Sequence, residues 1–322
     1  MVAMYLSINQ KKKMSNNKTL TNAIRFREPF AENYTLISET KVKSAYFDMQ
    51  TTTKTRWAFR VLKVEENGDA EIELFTIEHL LVKTNNENLN DIISLNQVFS
   101  RMYSEIRVII DVFGTILKVI NLQQIKDKWE DTKTQLLKIQ EQEPALMALI
   151  TINDEIFAEN NKIRIAIENN EFFKHYFGKI YGKTLPIDRK MIVQKNVLQT
   201  ADAEWIYNFD YSPQIGAEHL KDIAVTSNAL ADTDSSNWKK HAYGHLPDIE
   251  TKNLRPNLTE EAIYRCNFKT GKLHFAETTI SEIAMPNFIE ASMVYTIESD
   301  SYKENSSAII ENSQNKIFRV LD

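Results

Sequence analysis

The segment TKTRWAFRVLKVEENGDAEIELFTIEHLLV constrains the fold more than any other part of this chain. Trp57, Phe59 and Val61 recur at every second position, Asn67-Gly68-Asp69 intervenes, and Ala70, Ile72 and Leu74 resume the alternation. A period of two sends successive side chains to opposite faces of a pleated ribbon. Asn-Gly accepts the positive φ of a tight turn at little steric cost. The segment therefore reads as an antiparallel hairpin with one buried face. The same grammar returns twice: IRVIIDVFGTILKVIN turns near Gly114, and AIYRCNFKTGKLHFAETTISEI turns at Lys269-Thr270-Gly271. YTLISETKVKSAYFDMQ alternates in the same way from Tyr34, and IEASMVYTIES reads as a last strand.

Other segments follow a helical period. Ile92, Leu95, Phe99 and Met102 predict a helix over Leu89 to Glu105. Ile125, Trp129, Leu136 and Ile139 predict another over 122–143, with Pro144 kinking it or opening the next. Asp154 is placed to cap a helix running to Phe177, with Gly178 closing it. After Pro186, MIVQKNVLQTADAEWIYNFDYS reads as one long strand and HLKDIAVTS as a further one.

The expected class is α+β, with antiparallel meanders or curved sheets in two β-rich regions (about 34–120 and 190–298) around a helical middle. The divisions are a poorly ordered leader over 1–30 (with a short helix near Leu20 to Arg27), a β-rich half over 31–120, a helical middle over 121–185, and a second β-rich half over 186–322. The second half carries a long polar surface loop at 231–260. The two sheets are separate or form halves of one incomplete barrel. The hairpins at Gly114 and Gly271 share a layout, which an internal duplication and two ordinary hairpins explain equally well.

Composition narrows the function. The formal net charge of −5 gives no support to nucleic-acid binding. Seven glycines in 322 residues leave few positions for phosphate-cradling loops. The lone Cys266 makes no intrachain disulfide and reads as small apolar filler. MVAMYLSINQKKKMSNN puts its apolar run before its lysines, the reverse of a secretory signal, with Met14 as an alternative start. No run approaches the length of a membrane-spanning helix. A cytoplasmic location is expected on these grounds.

No catalytic motif stands out, and the expectation leans away from an enzyme and from any cofactor. WKKHAYGHLPDIE offers His241, His245 and Asp248 as metal ligands, but Gly244 and Pro247 oppose a regular helix, and Lys239 and Lys240 oppose a cation. No metal is therefore expected. His175 lies among Phe172, Phe173, Tyr176 and Phe177, which make either an aromatic pocket or ordinary core. Trp57, Phe59, Trp205, Tyr207, Trp238 and Tyr243 are the candidate binding residues, with sheet packing as the alternative role.

Val64, Gly68, Ala70 and Ile72 form a V-x-x-x-G-x-A-x-I turn, and Asp111, Gly114 and Ile116 form a D-x-x-G-x-I hairpin. With the later IYRCNFKTGKLHFAETTI, these resemble an uncharacterised family of β-hairpin-rich proteins from Bacteroidetes. Its members usually begin with an export or lipoprotein signal, and the resemblance implies no catalytic residues. Three functions follow from the sequence. The leading one is a non-enzymatic binding or assembly protein that recognises another macromolecule, expected to be a protein, through a sheet surface or the 231–260 loop. The second is a carrier of a small apolar ligand in a curved-sheet cavity. The third is a hydrolase or metal enzyme using His241 and His245.

Overall fold

A computed structural model describes residues 23–44, 47–86, 98, 101–139, 144–213, 220–229, 231–246 and 249–303. It is α+β, dominated by an antiparallel sheet of 11 strands. The strands are β1 (Phe30–Ser44), β2 (Phe47–Val64), β3 (Ala70–Thr84), β4 (Glu105–Ile110), β5 (Ile116–Val119), β6 (Lys190–Lys195), β7 (Asp202–Pro213), β8 (Leu220–Ala229), β9 (Asn257–Asn267), β10 (Leu273–Met285) and β11 (Ile289–Ser299). Their order in space is β5-β4-β3-β2-β1-β11-β10-β9-β8-β7-β6. Two meanders thus run outward from a central seam, where β1 pairs with β11 from Tyr34↔Ser299 to Lys43↔Glu290. The two β-rich regions are one sheet.

The sheet curls. Laid flat, 11 strands would hold the outer strands roughly 48 Å apart, at about 4.8 Å per neighbour. Yet Phe113, in the β4–β5 turn, lines the same small cleft as Lys190 and Ile192 of β6 and Phe209 of β7. The two ends of the meander therefore face each other across an open seam, and the sheet is an incomplete barrel.

The crossover between those ends is helical: α1 (Leu122–Ile139), α2 (Pro144–Ala158), α3 (Asn160–Glu168) and α4 (Glu171–Phe177). The long helix expected from Asp154 to Phe177 is three helices. Asp154 sits inside α2 and accepts from Trp129 Nε1 at 2.9 Å and Lys133 Nζ at 2.7 Å. Asn170 caps α4 by accepting from the Phe172 amide, and Gly178 follows its last turn with φ +50°. Phe172, Tyr176 and Phe177 of α4 are buried against Phe26, Tyr34, Trp57 and Phe59. The helix is an aromatic plug in the N-terminal half of the barrel.

Residues 23–29, expected to be poorly ordered or helical, are extended and tied in. Ile24 donates to Lys183 O, Gly182 donates to Ile24 O, and Arg27 donates to Thr270 O. This strap crosses the end of the barrel where the glycine turns gather. A Cβ on Gly271 would lie 1.8 Å from the Arg25 carbonyl oxygen, and one on Gly68 would lie 2.3 Å from an Arg25 guanidinium nitrogen. The turns therefore need glycine for close approach as well as for positive φ.

Residues 196–201 break the expected single long strand into the β6–β7 hairpin. Asn196 is the reason: its Oδ1 accepts from the Thr200 and Ala201 amides, which closes the turn. Residues 231–260, read as a surface loop, contain α5 (Ser236–Tyr243). Ser235 caps it, and Ala242 and Tyr243 fall on one buried face. That face joins Ala201, Leu254, Ala284 and Ile289 in a second small core. Glu282 lies within it, fully buried, and accepts from Tyr243 Oη at 2.6 Å and Asn196 Nδ2 at 2.8 Å. Most of the predicted helix at Leu89 to Glu105 lies outside the described residues; Arg101–Tyr103 is a 3-10 turn, and Glu105 begins β4.

Candidate functional site

The inner face of the sheet is filled unevenly. In the N-terminal half it presents Tyr34, Trp57, Phe59, Ile72, Leu74 and Val108, all buried against the helices. In the C-terminal half small residues (Ala203, Ala262, Ala276, Thr278 and Ala291) are interspersed with large ones (Trp205, Tyr207, Tyr264 and Ile297). Beside α4 lies a cleft of about 580 Å³, within the range typical of small-molecule sites.

The cleft has two unlike sides. Toward β10 and β11 its wall is Ile280, Met293 and Tyr295, with His175 of α4 stacked on Tyr295 at 4.1 Å between ring centroids. Burial holds the His175 imidazole neutral, with its pKa lowered to about 4 and the neighbouring Lys174 and Lys179 reinforcing that shift. Toward β6 and β7 the wall is Gln194, Lys195 and Trp205, with Lys174 and Lys179 reaching in from α4 and the residues after it.

The floor is a polar cluster. Lys179 pairs with Glu260, whose side chain is 2% exposed, and donates to Tyr207 Oη at 2.8 Å. Tyr207 in turn donates to the second Glu260 oxygen at 2.9 Å and accepts from Gln194 at 2.6 Å. Both carboxylate oxygens are thus occupied. The Lys179 ammonium also lies 4.0 Å from the Tyr207 ring centroid, in cation–π range. Burial lowers the pKa of Lys179, and its attraction to Glu260 opposes that effect. One donor has no acceptor: Trp205 Nε1–H is buried and makes no hydrogen bond. An orphaned buried donor costs about 1–3 kcal/mol, so it stands out in a lining otherwise satisfied at its floor.

Several residues chosen from the sequence meet in this place. Trp205 and Tyr207 are in the cleft or its floor, and His175 lines it. Trp57 and Phe59 are buried under α4. Trp238 is partly buried and donates to the Asp202 carbonyl, and Tyr243 is buried on Glu282. His241 and His245 are exposed at and just after α5, and Asp248 lies outside the described residues. No group of three His, Cys, Asp or Glu among the described residues is placed to hold a metal. Cys266 is buried on the inner face of β9. Sequence reasoning missed Lys179, Glu260 and Gln194, because 81 residues separate the ion pair and no local pattern joins them.

No family model matches this chain, and no curated protein matches it. Among solved structures, one titled "Lipid-protein interactions in lipovitellin" aligns at 8% identity with a TM-score of 0.40. The alignment covers 86% of this chain and 25% of that one, so the chain spans about a quarter of its length. No helix among the described residues is long and apolar enough to cross a membrane, which says nothing of strands.

Proposed function

We propose that this protein binds a small amphipathic molecule in the cleft between α4 and the inner face of β6–β11, as a carrier or receptor. The observation that carries this reading is the cleft itself: a concavity of about 580 Å³ with an apolar wall opposite a polar one, and an unpaired indole N–H in its lining. Small-molecule sites combine a mostly apolar concavity with a few convergent polar groups. Recognition of another protein through residues 231–260 has less to rest on, because the apolar face of α5 is buried in the second core.

Titration with a neutral, environment-sensitive apolar dye such as N-phenyl-1-naphthylamine tests the reading. One saturable site per chain is expected, and Ile280→Trp, which fills the apolar side of the cleft, should abolish it without unfolding the protein. Dye binding that never saturates, or that survives Ile280→Trp unchanged, would overturn the proposal.

A further inference from the structure

The groups left over in the cleft lining are donors and cations. Glu260, its one carboxylate, is occupied at both oxygens by Lys179 and Tyr207. Asn196 spends its carbonyl on the Thr200 and Ala201 amides. What remains is the Trp205 Nε1–H without an acceptor and the exposed Lys174, which makes no salt bridge among the described residues and is attracted to Glu171 one turn earlier, outside the cleft lining. Lys195 also borders the cleft, but its side chain pairs with Asp202 on the sheet face opposite Trp205. Lys179 is neutralised by Glu260 and Lys195 by Asp202, so three lysines against two carboxylates leave 3 − 2, or +1, carried by Lys174, with His175 neutral, in a chain whose formal net charge is −5. A concave site lined by one sign of charge concentrates ligands of the other sign. The cations and the orphaned donor stand on the β6–β7 and α4 side, and the apolar wall stands on the β10–β11 side.

We infer that the ligand of this cleft is a singly charged anionic amphiphile, with its acidic head toward Lys174 and Trp205 Nε1 and its apolar body along Ile280, Met293 and Tyr295. This inference rests on the proposed function and adds the sign of the ligand's charge and its direction in the site. A cationic head is disfavoured because the one carboxylate in the lining is already neutralised by Lys179, and a second cation would meet Lys174. A neutral head would satisfy the indole N–H but leave Lys174 unanswered. A carboxylate meets both needs, since charge-assisted hydrogen bonds to an ionised acceptor are roughly twice as strong as neutral ones.

Three ligands of one chain length separate these cases: dodecanoate, dodecan-1-ol and dodecylammonium, each used to displace the neutral dye at pH 7.5. Dodecanoate should compete at least tenfold better than the alcohol and better still than the amine. Lys174→Met should erase most of the acid's advantage and leave the alcohol's affinity within about twofold, while Trp205→Phe should weaken both acid and alcohol, the acid more, and leave dye binding intact, a pattern that general loss of fold would not produce. Equal competition by acid and alcohol, or preference for the amine, would overturn the anionic head while leaving the cleft as a ligand site. Failure of all three to displace a dye that binds saturably, in a way Ile280→Trp abolishes, would overturn the amphiphile and leave the concavity. Absence of saturable dye binding would remove the reading on which both stand.

Discussion

Lys179→Met is the most informative single change in the molecule. It leaves the Glu260 carboxylate, 2% exposed, with Tyr207 as its remaining donor. Removing one partner of a buried ion pair typically costs 3–5 kcal/mol, because an uncompensated charge stays behind in low dielectric. Two features place this site near the lower end. The Lys179 side chain is 23% exposed, so water reaches the pair from the cleft, and the Tyr207 hydroxyl still stabilises the carboxylate. A loss of about 3 kcal/mol is expected, roughly 150-fold in the folding equilibrium. Glu260→Leu should cost less, about 1–2 kcal/mol, since the freed ammonium can turn toward the open cleft. In the double variant no charge is stranded. Tyr207 loses its acceptor, at about 1 kcal/mol, and the rest of the site becomes apolar. The double variant should therefore be more stable than Lys179→Met alone, with a coupling energy of about 3–4 kcal/mol. Urea unfolding at pH 7 measures all four proteins, and unchanged m values would show that the unfolded states are comparable. A coupling below about 0.5 kcal/mol would refute the reasoning. It would mean that Glu260 is hydrated and that the floor of the cleft is not the low-dielectric surface described above.

Two further outcomes follow from the geometry. Gly271→Ala forces a left-handed residue at φ +77° and drives a methyl into the Arg25 carbonyl, 1.8 Å away; with the Arg27 to Thr270 hydrogen bond also strained, about 2–4 kcal/mol should be lost in urea unfolding, and a loss under 1 kcal/mol would show that the strap is not seated against this turn. His175 has its folded pKa lowered to about 4 by burial, so its neutral form stabilises the fold above the unfolded value near 6.5, and that contribution is lost as pH falls from about 6.5 toward 4. His175→Phe should flatten the stability–pH curve over that window, by up to about 2–3 kcal/mol at pH 4; parallel curves for the two proteins would place the imidazole in water.

The hairpins were legible because a hairpin is a local object. Asn67-Gly68 fixes its own turn, and the alternation of Trp57, Phe59 and Val61 fixes its own buried face, before any distant contact forms. The pairing of β1 with β11 was not legible, since nothing near Tyr34 encodes a partner at Ser299, 265 residues away. α5 was legible in principle: Ser235 is a good cap, and Trp238, Ala242 and Tyr243 have helical spacing, but the surrounding polar residues masked so short a repeat. The cleft was half legible. Aromatics on alternating strands mark an inner face, and His175 amid aromatics marked α4. Whether that face is filled depends on the residues opposite it, and those lie on other strands.

That last dependence bears on why there is a cleft at all. The crossover from β5 to β6 must carry the chain between the two ends of a curled sheet, and α4 crosses the concavity on the way. Opposite Phe172 and Tyr176 the sheet supplies Tyr34, Trp57 and Phe59, and the aromatic rings close the space. At Gly178 the same face supplies Tyr264, whose ring packs on the glycine, and beyond it Thr278, Ile280 and Met293 line open space. The chain follows Gly178 with Lys179, whose long side chain reaches inward to Glu260 without filling the volume. Close-packed interiors lose stability by leaving such space, and larger apolar side chains at these positions would recover it. The chain instead lines the space with a buried ion pair, an unpaired indole N–H and a neutral imidazole, each of which a purely structural core avoids. The ion pair, the indole and the imidazole come from different elements and satisfy different physical demands. Their convergence on one concavity is the ground on which the proposed ligand rests.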